Sequence, residues 1–225
     1  MDSILKYLEE LNKNNNRDWF NENKQRYIEA KNRFDRFAQQ LIDGLAAVDS
    51  SLSNLRLEQC TYRIYRDLRF SSDKTPYKTH FSAYIAPQGK SSGLAGYYIH
   101  IEPEDGHFLK RCFLAAGAHC PTTKELQSIR EEFLDNGEIL SKAINDAAPF
   151  TLEFDSALKR PPKNFPQDSP WIEYIKLKNF ILTLPLEKSD LEDDIFLSNC
   201  IQEFSKCKKF VEMMNRAILF AQNEM

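Results

Sequence analysis

No apolar run in this chain approaches the roughly 18 residues that a membrane-crossing helix requires, so no spanning segment is expected. The opening residues, M-D-S-I-L-K-Y-L-E-E, are charged and amphipathic and do not read as a secretory signal. Basic excess is also missing. The formal net charge of −3 makes nucleic acid an unlikely general partner and confines any cationic patch to a local segment. The five cysteines are odd in number and contain no C-x-x-C pair, which fits reduced thiols in a cytoplasmic protein better than a disulfide framework. G-x-S-x-G, the P-loop, the dinucleotide fingerprint and H-E-x-x-H are all absent. No cofactor and no oligomeric state can be named from the sequence.

What remains is a globular composition, 42% hydrophobic and 28% charged, long enough to bury a substantial core. Ser3 can cap a short helix carrying Ile4, Leu8 and Leu11, and the polar run from Asn12 to Asn16 breaks it. A longer helix is expected from Asp18, where Phe20, Tyr27, Phe34 and Leu41 recur at steps of seven. Between about residues 55 and 117 the period changes to two. Strands are expected over 59–66, 80–86, 96–102 and 108–116, joined by short polar connections that favour an antiparallel meander. Thr122 and Glu125 have the spacing of a capping box, and Gly137 reads as a stop between two helices. Ser169 and Pro170 start a further helix through about Lys176, residues 180–186 form a fifth strand, and a last helix carries Leu197, Ile201, Phe204, Val211 and Ile218. The expectation is one α+β domain over residues 1–225, a mostly antiparallel sheet of about five strands flanked by N-terminal and C-terminal helices.

The densest chemistry lies in Y-R-I-Y-R-D-L-R-F-S-S-D-K-T-P-Y-K-T-H-F, residues 62–81. Arg63, Arg66, Arg69, Lys74 and Lys78 are answered there only by Asp67 and Asp73, with Tyr65 and Tyr77 among them. Arginine suits a two-pronged grip on phosphate or carboxylate, and lysine adds a point charge. Alternation places Arg63, Tyr65, Asp67 and Arg69 on one strand face; Tyr98, His100 and Glu102 share a face of another. If the polar sets align, Arg63, Tyr65, Tyr84, Tyr98, His100 and Glu102 line one surface, with His100 or Glu102 available as a general acid or base. The competing reading is structural: Arg66 with Asp67, or Arg69 with Asp73, pair internally and fix a turn.

A metal site is the weaker reading, and no ligand is assigned. The four histidines follow no recognised metal spacing, although His100 and Glu102, with His80 as a third, would suit a mononuclear centre. Cys60 and Cys112 sit in apolar strand contexts and read as packing. At N-N-N-R-D-W-F, Asn16 or Asp18 reads as a helix cap. The stiff basic segment Lys159–Lys163 could cover the sheet and contribute Arg160.

N-N-N-R-D-W-F, the R-D-L-R-F-S-S-D-K-T-P-Y-K element, Y-Y-I-H-I-E-P and L-K-R-P-P-K-N-F occur in that order. From about Leu5 to Asn215 the chain resembles a widespread bacterial and fungal family catalogued as a conserved domain of unknown function. The resemblance implies one intracellular domain and no particular activity, substrate or cofactor. On the residues alone, the leading expectation is a pocket for a small anionic ligand; the alternative is an interaction module for nucleic acid or a protein partner.

Overall fold

The computed structural model describes residues 1–192 and 195–223. Helix α1, Asp2–Lys13, buries Ile4, Leu5, Tyr7, Leu8 and Leu11. Its polar exit has three separate duties. Asn12 donates to the Asp105 carbonyl at 2.6 Å, Asn15 clamps Tyr77, and Asn16 caps the next helix by accepting the Trp19 N–H at 2.9 Å. The long helix expected from Asp18 is two helices, α2 (Arg17–Glu22) and α3 (Lys24–Val48). Asn23 leaves helical geometry between them, and its side chain takes the Trp19 carbonyl. The apolar stripe nevertheless continues into the core through Phe20, Phe34 and Leu41.

The expected strand over 59–66 does not form. Leu57–Cys60 is a helical turn, α4, in which the Gln59 side chain accepts the Arg56 N–H at 2.8 Å. Residues beyond it fold back on themselves: the Arg66 N–H reaches the Pro76 carbonyl at 3.0 Å and the Lys78 N–H the Ile64 carbonyl at 2.8 Å. Isolated bridges at Thr61–Ala83 and Tyr65–Tyr77 are all the pairing this segment makes. So many charges alternate with its apolar residues that a place inside the sheet would bury them unpaired.

The sheet proper holds β1 (Phe81–Ile85), β2 (Gly96–Ile101) and β3 (Cys112–Ala118), followed after helix α5 (Thr123–Asp146) by β4 (Thr151–Leu152). Helix α6 (Ile172–Ile175) then precedes β5 (Phe180–Leu186). Five strands run antiparallel in the order β1-β2-β3-β5-β4. The Thr122–Glu125 capping box is present at the start of α5. Gly137 does not stop that helix. The kink falls at Asn136, and a Cβ on Gly137 would strike the Trp171 ring, so this glycine serves close packing. After α7 (Lys188–Glu192), the expected last helix is two, α8 (Phe196–Lys206) and α9 (Lys208–Asn223), hinged at Cys207.

One face of the sheet is apolar: Phe81, Ala83 and Ile85; Tyr97, Ile99 and Ile101; Leu114 and Ala116; Phe180 and Leu182. Helices α3, α5, α8 and α9 close over it in one continuous core. Each large side chain buried there contributes about 1.5–3 kcal/mol. Among the described residues, no helix lines the cleft on the opposite face of the sheet. No helix of the described residues is long and apolar enough to cross a membrane.

Candidate functional site

The free face forms a cleft of about 810 Å³. Its floor follows from register: Tyr84 lies beside Tyr98, Tyr98 beside Ala115, and Ala115 beside Thr183, with Ser82 and Phe113 in the neighbouring row. The segment of residues 61–80 forms one wall and the β2–β3 connection another. Side-chain amides hold the edges. Asn15 donates to the Tyr77 carbonyl at 2.9 Å and accepts its N–H at 3.1 Å. Asn215 of α9 grips Ala95 in the same two-way fashion, accepting at 2.7 Å and donating at 3.0 Å.

Tyr98 and His100 on β2 and Glu102 just past its end, spaced by two, form a hydrogen-bonded row. The Tyr98 hydroxyl lies 2.9 Å from His100 Nδ1, and His100 Nε2 lies 3.1 Å from Glu102 Oε2. His100 is 0% exposed and Glu102 1%, whereas Tyr98 lines the cleft in front of them. Glu102 also ties down the β2–β3 connection. Its Oε1 accepts the Thr79 hydroxyl and the Phe108 N–H, both at 2.9 Å; its Oε2 accepts the Leu109 and Lys110 N–H groups at 2.6 and 2.8 Å. Burial pushes this carboxyl up, but the His100 bond and those backbone N–H groups outweigh it and hold it well below the usual carboxylate range. An ionised Glu102 only accepts, so the His100 Nε2–H donates to it, and in that tautomer the Tyr98 hydroxyl donates to Nδ1. Burial pushes the Tyr98 phenol up to about 12, so it is a protonated donor near neutrality.

His80, just ahead of β1, stands with its ring centroid 4.6 Å from that of His100 and stacks on Phe108 at 5.2 Å. Its Nδ1 is buried without a hydrogen-bond partner among the described residues. Burial first, then the neighbouring His100, drives its pKa far down, so the imidazole is neutral.

The cationic segment divides. Arg66 lines the cleft but spends its guanidinium on the 71–75 turn, reaching Asp73 at 2.5 Å, the Thr75 carbonyl at 3.0 Å, the Thr75 hydroxyl and the Ser71 hydroxyl at 3.3 Å. Arg69 pairs with Asp67 at 2.6 Å. Internal pairing therefore occurs with the partners exchanged relative to the Arg66–Asp67 and Arg69–Asp73 expectation. Lys74 turns back to the Leu68 carbonyl at 3.2 Å. Arg63, Tyr65, Arg69, Lys74 and Arg160 lie outside the cleft lining; Arg66, Asp67, Asp73, Tyr77 and Lys78 are part of it. The two-faced strand pattern assigned to Arg63, Tyr65, Asp67 and Arg69 lapses with the strand itself.

Lys78 behaves differently. It is half-buried, its Nζ stands 5.3 Å from the Tyr62 ring centroid, and no carboxylate among the described residues pairs with it. Burial, then Arg63, lowers its pKa from the ordinary lysine value. Lys90 approaches the same ring at 5.7 Å and donates to the Glu58 carbonyl at 2.5 Å. Arg111 lies over Phe113 at 5.0 Å, with Glu153 3.5 Å away. Lys90, Arg111 and Glu153 were not singled out from the sequence. None belongs to a motif, and only the fold brings each to the cleft.

A family model described as a conserved hypothetical protein (DUF2461) matches residues 3–213. No curated protein and no solved structure matches the chain.

Proposed function

Since the chain belongs to the DUF2461 family of conserved hypothetical proteins, we propose that its members use the free sheet face to bind a small phosphate- or carboxylate-bearing ligand. The observation that carries this reading is the pair Lys78 and Lys90, two cations sharing one face-lining tyrosine with no carboxylate to neutralise either among the described residues. A cation–π contact is worth about 0.5–1 kcal/mol at such a site, far less than a charge-assisted bond to an anion. An anion bound at Lys78 would offset the cost of burying that ammonium group beside Arg63. Tyr84, Tyr98 and Phe113 offer a flat, mostly apolar floor for the body of the ligand. Tyr98, whose proton is committed to His100, presents hydroxyl lone pairs that accept a hydrogen bond from the ligand. Stacking on single-stranded nucleic acid is less well supported, because Tyr77 is buried against Phe20 with ring centroids 3.9 Å apart. Five free thiols fit a cytoplasmic setting.

A thermal-shift series with inorganic phosphate, sugar phosphates, nucleotides and dicarboxylates tests the reading. A ligand at ~100 times its Kd contributes about 2.7 kcal/mol, which raises Tm by roughly 5–11 °C in a protein of this size. Lys78→Met should fold normally and lose that shift. If no anion moves the wild type, or if the shift survives in a Lys78→Met/Lys90→Met double variant, the cleft is not an anion site.

A further inference from the structure

We propose that His80, His100 and Glu102 bind a divalent first-row transition ion of the zinc or iron class at the inner end of the cleft. One donor atom from each lies within 4.8 Å of the other two. Two imidazoles and a carboxylate suit zinc, iron, cobalt or nickel, and poorly suit magnesium or calcium, which prefer all-oxygen shells.

The local hydrogen bonding points the same way. Glu102 Oε2 faces three donors, the Leu109 and Lys110 N–H groups and His100, against two lone pairs. His80 supplies the opposite imbalance, a buried Nδ1 with nothing to bond among the described residues, which costs about 1–3 kcal/mol. An ion inserted between His100 and Glu102 replaces the His100 N–H at Oε2 and gives the His80 imidazole the partner it lacks. The 3.1 Å from His100 Nε2 to Glu102 Oε2 already matches two adjacent ligands bound at about 2.0–2.1 Å. His80 needs to close by up to about 1.4 Å to reach the ~3.4 Å ligand spacing of a tetrahedral site.

A supporting shell is in place. Thr79 and three backbone N–H groups orient the carboxylate, and Tyr98 orients His100. On binding, the ion takes the place of the Nε2 proton. That proton is carried instead on Nδ1, where the Tyr98 hydroxyl turns to accept it. His80 lines the cleft while His100 and Glu102 lie behind it, so coordination positions left open would face the cleft. The proposal does not depend on the lysine pair.

The test is calorimetric titration of chelator-treated wild-type protein with Zn²⁺ and with Co²⁺, together with X-ray absorption of the zinc-loaded protein. One ion per chain and a nitrogen/oxygen shell with imidazole scattering are expected. His80→Ala should weaken binding at least about 100-fold, while His119→Ala leaves it unchanged. Wild type that takes up no ion, a His80→Ala variant that binds as wild type does, or a sulfur neighbour in the absorption spectrum would each overturn the assignment. A sulfur neighbour would place the ion at the exposed His119–Cys120 pair instead. Because the absorption measurement uses wild type, it decides the matter even if His80→Ala fails to fold.

Discussion

Replacing Arg66 by alanine removes one side chain and four hydrogen bonds that close the 71–75 turn. The Arg66 side chain is 25% exposed and Asp73 48%, so solvent screening leaves the ion pair worth about 0.5–1 kcal/mol. The two bonds to Thr75 add about 1 kcal/mol each, and the long contact to Ser71 adds little. The total of ~2–3 kcal/mol corresponds to a fall in Tm of roughly 4–12 °C, read by calorimetry or circular dichroism. A pH series sharpens the test. Asp73 is held down to about 2, from 3.8, by the Thr75 N–H first and by Arg66 and the Thr75 hydroxyl after it. A depressed carboxyl contributes stability that is complete above its ordinary pKa and is lost as pH falls through the folded value. The gap in Tm between wild type and Arg66→Ala should therefore narrow between pH 5 and 2. It should not vanish, because the Arg66 bonds to Thr75 do not titrate and are lost in the variant at every pH. Ligand shifts measured on the variant should survive. A variant with wild-type Tm that has lost its response to anions would refute the reasoning and make Arg66 a ligand-binding cation.

Two further outcomes follow from the backbone and the thiols. Gly117 has φ +132°, and a Cβ there would strike the Phe180 carbonyl oxygen, whereas a Cβ on Gly93 at φ +77° would meet only Gln222 and Glu125 side-chain atoms at 3.8 Å, ordinary van der Waals contacts. Gly117→Ala should cost at least about 3 kcal/mol and Gly93→Ala about 1–2 kcal/mol; urea titrations giving the reverse order would contradict the packing at the β3–β5 pair. Only Cys120 is exposed, while burial pushes Cys60 and Cys112 up to about 11 and Cys200 and Cys207 up to about 12. A disulfide-exchange reagent should therefore label one thiol rapidly in native protein and the other four only on unfolding; rapid labelling of a second would show one of those four to be accessible.

Helical stripes, the Thr122–Glu125 box and the alternation of β2 were legible because each is a local pattern with one dominant physical cause. The same holds for the row of Tyr98, His100 and Glu102, whose common face needs only the strand period. The failure at 59–66 has a cause of the same kind. Tyr62, Ile64, Arg66 and Leu68 alternate as a strand would, yet their backbone partners lie a dozen residues on, around Pro76, and not in the sheet. Which arginine meets which aspartate depends on that fold-back and could not be read from order along the chain. Lys90 and Arg111 reach the cleft through register and loop geometry. Neighbouring residues carry no trace of that placement. The glycine at 137 misled because a helix stop and a packing notch ask for the same residue.

The amide clamp between Asn215 and Ala95 joins partners 120 residues apart. On a ribosome adding about 5–20 residues per second, the wall of the cleft near Gly93 and Gly96 would be made some 6–24 s before the side chain that secures it. Through that interval the apolar underside of β3 also lacks α9, which packs on it in the finished protein. The cleft is thus among the last parts of the molecule to be completed during synthesis, and a nascent chain stalled before Asn215 would present a sheet left open along β3 to whatever chaperones attend it.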